Sequence, residues 1–458
     1  MPTAVQNRPS SKLTFDSAPI AILTKEAKED NKLRVEDRAA HDWYRFVLSF
    51  PPHLVREYAS KFDLNSRHRV LDPFCGTGTT LVECKKLNLP SIGIERNPVA
   101  CFATRTKTDW DVNASQLVAH AQEIAQMASA KLERDGIQDM EALPLFRTES
   151  KVTSNLRTLP VETWKFLLKN SISPLPLHKT LVLIETLNER ADPRFTGHER
   201  LALAKALVFG ISNLQFGPEV GVGPAKPDAP VISIWLNGVR AMAADLVKLR
   251  DHRDSQADVH LSDSRQLIKV LEPKSVDAVI TSPPYPNEKD YTRTTRLESV
   301  LLGFIQSKGD LRSLKQNLVR SNTRGVYKSD TDDLAVANHE EIQRIAAQIE
   351  QRRIELKKTS GFERLYARVT KLYFGGMARH LSDLRTVLRP GAQLAYVVGD
   401  QASYLRVMIR TGQILASIAE SLGYEVTGID LFRTRLATAT KEQLREEVVL
   451  LHWPGKKR

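Results

Sequence analysis

The sequence predicts an α/β protein with a mixed, mostly parallel sheet and added helical insertions. Short apolar runs alternate with amphipathic stretches of helical period around residues 68–110, and apolar runs return from residue 258 onward. The region between is mainly helical, and two apolar runs near the end, YEVTGIDLF and EEVVLLHW, are typical of an antiparallel strand pair. The chain of 458 residues is 41% hydrophobic and 26% charged, which excludes collagen-like, mucin-like and wholly disordered proteins.

The first part of the predicted core covers residues 41–110 and follows a polar leader at 1–40. The leader has mixed charge and little periodicity, so we expect it to be poorly ordered or loosely docked. Closely spaced aromatic residues and a Pro-started amphipathic helix come next. A strand, a glycine-containing turn and a helix (RVLDPFCGTGTTLVECKKLNL) then lead to a second strand, SIGIE. This order predicts the start of a parallel sheet.

Residues 111–257 form a mostly helical insertion in this prediction, and they are one candidate region for recognising a target. Its Gly- and Pro-rich stretch at 216–230 is expected to be loop. The segment from Asn213 to Pro230 carries Glu219, Lys226 and Asp228, which either contact substrate or only connect helices.

The second part of the predicted core covers 258–304 and 361–458, with strands at ADVHL, VDAVIT and AQLAYVVG. Residues 305–360 interrupt it as a basic and helical insertion. A helix at 339–358 is predicted from isoleucines at positions 342, 345 and 349. The basic side chains before it are candidates for DNA contact: Arg312, Lys315, Arg320, Arg324 and Lys328.

Charge and cysteine content narrow the class of protein. Lys and Arg exceed Asp and Glu by 66 to 54, giving a net charge of +12, which favours polyanionic partners through phosphate neutralisation. Three cysteines provide neither a disulfide framework nor paired metal-ligand spacing, so we expect a reducing, cytoplasmic setting and no metal site. No run of about 18 apolar residues is present, so no membrane-spanning helix is expected.

The first motif, DPFCGTGTT at 72–80, places two glycines in a turn between a strand and a helix. Gly76 and Gly78 let the backbone approach a ligand, and Glu95 ends the next strand 19 residues after Gly76. An acid at about this spacing is placed to bind ribose hydroxyls. Because the turn lacks the lysine of a phosphate-binding loop, a nucleoside without phosphates is the better prediction.

The second motif, TSPPY at 281–285, follows the apolar run VDAVI. Its two prolines end the strand and stiffen the chain where it leaves the sheet. Ser282 and backbone carbonyls are suited to accept hydrogen bonds from an exocyclic amine, while Tyr285 is suited to stack on the planar ring that carries it. The polar stretch 287–293 is expected at the rim of the same pocket.

DPFCGTGTT, GIERNP and TSPPY together resemble the amino-group DNA methyltransferases that use S-adenosyl-L-methionine. The resemblance covers about 41–110 and 258–458. It implies a Rossmann-like methyltransferase fold and transfer of a methyl group to cytosine N4 or adenine N6 in double-stranded DNA. It also implies the class of this family whose target-recognition region lies between the two motifs, although the insertion at 305–360 is an equal candidate to read DNA.

The resemblance also implies roles for individual residues. The cofactor side would comprise a methionine-side loop, a ribose ligand, a neighbour of adenine, and an acid near the adenine amino group with the serine beside it. The catalytic side would be the second motif. The methionine-side loop would contain Pro73, Phe74, Gly76 and Gly78, the ribose ligand would be Glu95, and the neighbour of adenine would be Asn97. The acid near the adenine amino group would be Asp263, with Ser264 beside it. The catalytic residues would be Ser282, Pro283, Pro284 and Tyr285. Trp43 and Phe46 lie where a helical segment of the family packs over the cofactor.

Cytosine N4 is the predicted target because serine before Pro-Pro-Tyr is the family's more usual cytosine form; adenine N6 is the alternative. A restriction-modification or related defence context is expected, with a cognate restriction endonuclease as a candidate partner. An RNA or protein-glutamine methyltransferase would more typically carry Asn or Asp at position 282. A DNA-binding subunit without catalysis is disfavoured by the intact motifs. A carbon-5 cytosine methyltransferase is disfavoured because no cysteine lies near the second motif.

Overall fold

The computed structural model of the chain describes residues 33–45, 49–139, 156–216, 219–287, 289–436 and 443–455. Residues 33–458 group as one unit by their internal contacts. Residues 1–32 of the predicted leader, Phe46, residues 140–155 and Glu288 are among those that lie outside the described residues. Among the described helices, none combines the length and the apolar character needed to cross a membrane.

A seven-stranded sheet forms the centre of the fold, with strand order β5-β2-β1-β6-β7-β9-β8. The first five strands in this order are parallel, and β9 pairs antiparallel with both β7 and β8. The predicted mixed, mostly parallel sheet and its terminal antiparallel pair are therefore confirmed. The strands are β1 (Val70–Asp72), β2 (Ser91–Glu95), β3 (Leu214–Phe216), β4 (Val220–Val222), β5 (Ala257–Leu261), β6 (Val276–Thr281), β7 (Leu388–Gly399), β8 (Glu425–Leu436) and β9 (Gln443–Trp453).

Helices cover both faces of the sheet and build the two insertions. They are α1 (Arg38–His41), α2 (Pro52–Lys61), α3 (Thr79–Lys86), α4 (Pro98–Thr108), α5 (Ala114–Arg134), α6 (Val161–Trp164), α7 (Pro174–Glu189), α8 (Thr196–Ala206), α9 (Val231–Leu249), α10 (Tyr291–Thr294), α11 (Arg296–Leu301), α12 (Lys308–Gln316), α13 (Glu340–Glu355), α14 (Tyr366–Val387) and α15 (Thr411–Ser421). A π-helical turn at Leu207–Ile211 extends α8.

The prediction of loop throughout 216–230 is wrong for its first part. Strands β3 and β4 pair antiparallel there, with Phe216 opposite Val220. Val220 is buried, and a β-branched residue packs well on a pleated surface, so burial outweighs the turn-forming glycines around it. The remainder of the stretch up to Pro230 has no strand or helix.

The helical insertion shares its hydrophobic core with the first part of the sheet domain. One cluster of buried residues includes Leu117 of α5 and Trp235 of α9 together with Val99 of α4 and Leu297 of α11. Apolar side chains at helical spacing along α5 and α9 create the matching faces. The insertion is thus built onto the edge of the sheet domain.

The second insertion is attached to α14 by a close backbone approach. A Cβ at Gly375 would overlap the carbonyl oxygen of Asp332, so only glycine allows this contact. The Asp332 side chain is buried and pairs with Arg265 and Arg379. Arg265 in turn pairs with Asp263. A chain of contacts therefore runs from the second insertion to the end of β5.

Candidate active site at the carboxyl edge of the sheet

The glycine-containing loop, residues 73–78, connects β1 to α3. Gly76 and Gly78 have φ values of +54° and +84°, conformations that glycine adopts at low cost. A Cβ at Gly78 would lie 2.8 Å from Thr104 Cγ2, so α4 packs directly against the loop. Thr104 Oγ1 also donates a hydrogen bond of 2.9 Å to the Gly76 carbonyl. Helix α4 therefore holds the loop from behind.

Glu95 and Asn97 lie beside this loop. The Glu95 carboxylate accepts the Gly76 N–H at 2.9 Å and the Asn97 N–H at 2.7 Å. Burial raises the pKa of Glu95 to about 7, although these two backbone donors favour its charged form. Asn97 caps α4 by accepting the Val99 N–H at 3.2 Å, and its Nδ2 donates to Thr295 Oγ1 at 3.2 Å. The structure thus brings Gly76, Glu95 and Asn97 together.

Asp263 and Ser264 follow β5, next to Glu95 across the sheet edge. The Ser262 N–H donates to the Glu95 carbonyl at 3.1 Å. Burial acts to raise the pKa of Asp263, but the hydrogen bond and charge of Arg265 outweigh it and lower that pKa. The Asp263 carboxylate is therefore ionised and already engaged by Arg265.

A buried histidine supports the same side of the site. His380 Nδ1 donates to the Ser264 carbonyl at 2.8 Å, and its Nε2 lies 2.7 Å from the Tyr396 hydroxyl oxygen. The Phe74 ring meets the His380 ring edge-on with centroids 4.8 Å apart. Sequence reasoning missed His380, since a lone histidine in a long amphipathic helix carries no motif.

Ser282, Pro283, Pro284 and Tyr285 leave the end of β6, adjacent to the glycine loop. Ser282 Oγ donates to the Val397 carbonyl at 3.2 Å. The Tyr285 ring lies against the end of β7, where a Cβ on Gly399 would be 3.1 Å from Tyr285 Cε2. Pro283 is buried and Pro284 is half-buried. Burial, together with the charge of Glu446, raises the pKa of Tyr285, so its hydroxyl stays protonated.

One hydrogen bond joins the two motifs. Strands β1 and β6 are neighbours, and Thr281 Oγ1 donates to Asp72 Oδ1 at 2.6 Å. Asp72 also accepts the Phe74 N–H at 3.1 Å. Burial raises the pKa of Asp72 to about 6. Asp72 therefore fixes the start of the glycine loop relative to the residue that precedes Ser282, a link that sequence spacing does not reveal.

The stretch after the second motif is less exposed than a pocket rim would be. Asp290 is buried, caps α10 by accepting the Thr292 N–H at 3.0 Å, and pairs with Lys315 at 2.9 Å. Arg293 lies 3.8 Å from Glu219 of the first insertion. Asn287 and Lys289 are half-buried. This stretch therefore ties the insertions to the catalytic edge.

In the first insertion, Asp228 and Lys226 face the protein interior. Asp228 pairs with the fully buried Lys179 at 2.7 Å, and Lys226 Nζ donates to the Gly210 carbonyl at 2.9 Å. Both side chains connect parts of the insertion, so the structure favours the connecting role for this segment at these two positions.

The five basic candidates of the second insertion divide into two groups. Arg312, Arg324 and Lys328 are exposed. Lys315 pairs with Asp290, and Arg320 is 4% exposed and pairs with Asp330 at 2.7 Å. Only the exposed group is available to phosphates.

The segment before the first motif contacts both the insertion and the loop. Trp43 Nε1 donates to Asp245 Oδ2 of α9 at 3.0 Å, and its ring packs on His198. Trp43 is therefore part of the core shared with the insertion. Asp37 pairs with Arg56, and His41 binds the buried Glu83 of α3, so the end of the predicted leader is docked.

The described residues contain no cluster of three or more His, Cys, Asp or Glu side chains that would hold a metal ion. Cys75, Cys84 and Cys101 are buried free thiols, and burial raises the pKa of each.

Comparison with known proteins places these features in context. Residues 17–105 match a family model described as DNA methylase. The Type II methyltransferase M.BsoBI of Geobacillus stearothermophilus is 25% identical over 438 residues, covering 89% of this chain and 83% of the relative. M.AvaI of Nostoc sp., also a Type II methyltransferase, is 23% identical over 420 residues with the same two coverages. A shorter match of 67 residues, 39% identical, links 15% of this chain to 12% of the Type II methyltransferase M.MjaII of Methanocaldococcus jannaschii.

Proposed function

We propose that this chain methylates the N4 amine of cytosine at a specific site in double-stranded DNA. The chain belongs to the amino-group DNA methyltransferases of the N6/N4 family. The observation that carries the proposal is the hydrogen bond between Asp72 and Thr281, which sets the glycine loop beside Ser282. M.BsoBI and M.AvaI are both named as Type II methyltransferases. These names support a restriction-modification context for this chain, with a cognate endonuclease as partner.

The residues of the cofactor side fit S-adenosyl-L-methionine. Glu95 offers a half-buried carboxylate for hydroxyl groups of a ribose, and Asn97 and Asp263 follow the ends of β2 and β5. Thr77 Oγ1, in the loop itself, is buried and has no hydrogen-bond partner among the described residues. A buried polar atom of this kind needs a partner, and a bound ligand would supply one. When bound, the cofactor supplies an electrophilic methyl group.

The chain's own contribution is to orient and desolvate the amine that is methylated. The base is expected to leave the DNA stack and enter the pocket formed by the second motif. There Ser282 Oγ and nearby carbonyls accept the amine hydrogens, while Tyr285 holds the ring by stacking, which contributes about 1–3 kcal/mol in such contacts. The backing of Tyr285 by Gly399 and of Ser282 by Val397 keeps both groups in place before substrate arrives.

The choice of cytosine over adenine rests on Ser282, since serine before Pro-Pro-Tyr is the more usual cytosine form in the family. The same mechanism serves adenine N6, because either amine has hydrogens to donate to these acceptors.

The test is to express the chain in a host that lacks DNA methylation and to quantify modified nucleosides in its DNA by mass spectrometry. We expect N4-methylcytosine at one sequence, located by modification-sensitive long reads. N6-methyladenine would overturn the choice of base and keep the family assignment. The absence of a DNA mark from a protein that binds the cofactor would overturn the proposal that this chain alone modifies DNA.

Matched variants separate the two sides of the site. Ser282→Ala and Tyr285→Ala are expected to abolish the mark while leaving cofactor affinity within about twofold, because both side chains are held by contacts with the end of β7. Glu95→Ala is expected to weaken cofactor binding first, because it removes the acceptor for Gly76 and Asn97. Equal loss of cofactor binding in all three variants would show that these roles are misassigned.

A further inference from the structure

Lys107 is a buried lysine directly behind the glycine loop. It is 1% exposed and lies on the last turn of α4. Its Nζ donates to the Thr77 carbonyl at 2.6 Å and to the Tyr44 carbonyl at 3.2 Å. The side chain therefore joins the loop to the segment that precedes the first motif.

The ammonium group of Lys107 has no close counter-ion in the described part of the chain. Among the described residues, no carboxylate lies within ion-pair distance of Lys107 Nζ. Asp42 is the nearby acid, and it pairs with Lys205. Arg45 and Lys86 add positive charge nearby, and together with burial they lower the pKa of Lys107 to about 7. An ammonium has three N–H donors, and the two carbonyls use only two of them.

The order of the strands indicates what lies in front of this charge. Asp263 and Glu95 stand at the ends of β5 and β2, and Ser282 stands at the end of β6. A cofactor with its adenine and ribose near the first two and its reactive sulfur near the third would cross the end of β1. Its methionine end would then be held by the loop at Thr77, whose Oγ1 has no hydrogen-bond partner in the described part of the chain.

We infer that Lys107 is a positioning residue for the methionine end of the cofactor. Its positive charge attracts the carboxylate of that end, and its hydrogen bond to the Thr77 carbonyl holds Thr77 in place to contact this carboxylate. A carboxylate and an ammonium in a poorly hydrated site attract each other more strongly than in water. The inference rests on the proposed cofactor, and no motif of the sequence marks Lys107.

The test compares two ligands by calorimetry, so that it does not depend on catalysis. One is S-adenosylhomocysteine, and the other is its decarboxylated analogue, which keeps the adenosine and the amine. In Lys107→Gln, which removes the charge but retains amide donors for the two carbonyls, we expect affinity for S-adenosylhomocysteine to fall about tenfold. Affinity for the decarboxylated analogue should change by less than about twofold.

Thr104→Val is the matched control, because it removes the other contact between α4 and the loop without removing charge. It should weaken both ligands by the same factor, and Lys107→Arg should restore the preference for the carboxylate. Equal losses for both ligands in Lys107→Gln would reduce Lys107 to a structural support and overturn the inference.

The unsubstituted protein provides a measurement that does not depend on variant folding. If it binds both ligands equally, the carboxylate is not recognised and the inference fails while the cofactor assignment stands. If it binds neither ligand, the proposed cofactor itself is wrong.

Discussion

At the residue scale, Glu298 of α11 carries a testable electrostatic signature. It is 1% exposed, accepts the Tyr44 hydroxyl, and has an Oε2 without a hydrogen-bond partner among the described residues. Burial raises its pKa from 4.5 to about 7, so its contribution to stability is full below pH 4.5 and is lost as the pH rises through 7. As the pH rises from 5 to 8, we expect the free energy of unfolding of Glu298→Gln to increase by about 1–3 kcal/mol relative to that of the unsubstituted protein. Chemical denaturation at both pH values measures this, and a constant difference would show that Glu298 titrates normally.

At the element scale, α12 offers a matched pair of basic residues for testing whether the second insertion meets DNA. Arg312 is exposed, whereas Lys315 pairs with Asp290. If this face contacts phosphates, Arg312→Gln should lower the slope of log affinity against log salt by about 0.9, the value of one released counterion. Lys315→Gln removes the same charge but should leave the slope unchanged. DNA binding measured from low to high salt provides both slopes, and identical slopes for Arg312→Gln and the unsubstituted protein would exclude Arg312 from the interface.

At the scale of the whole molecule, the shared cluster predicts that the first insertion unfolds together with the helices of the sheet domain that it packs against. Trp235 of α9 belongs to the same buried cluster as Val99 of α4 and Leu297 of α11, so neither part buries its apolar surface alone. Native-state hydrogen exchange should give the slowest amides of α9 and of α4 the same free energy of opening and the same urea dependence. A lower opening energy confined to α9 would identify the insertion as a separate folding unit.

The sequence predicted the sheet well because its strands are continuous apolar runs that end in motif residues. The run before Ser282 and the run before the glycine loop both proved to be central parallel strands. The terminal antiparallel pair was equally readable. Local patterns are strong here because central strands are buried on both faces.

The contacts that support the site were not readable from sequence. Asp72 and Thr281 are separated by 209 positions along the chain, and their hydrogen bond depends on strand order. Lys315 and Arg320 looked like surface charges in a basic stretch, but Asp290 and Asp330 engage them. Strand β4 formed within a Gly- and Pro-rich stretch because Val220 is buried there. The proposed roles of the site residues remain predictions for the experiments above.

The glycine contact between α14 and Asp332 bears on any attempt to engineer a shorter enzyme. The stretch 305–360 looks dispensable as a surface addition, yet Asp332 within it pairs with Arg265, and Arg265 pairs with Asp263. Removal of this stretch would leave the buried guanidinium of Arg265 with only one of its two carboxylate partners. Asp263 would then be free to move. A truncated variant therefore needs a replacement acid at this point. Given the proposed role of Asp263 at the cofactor, truncation without that acid is expected to weaken cofactor binding before DNA binding.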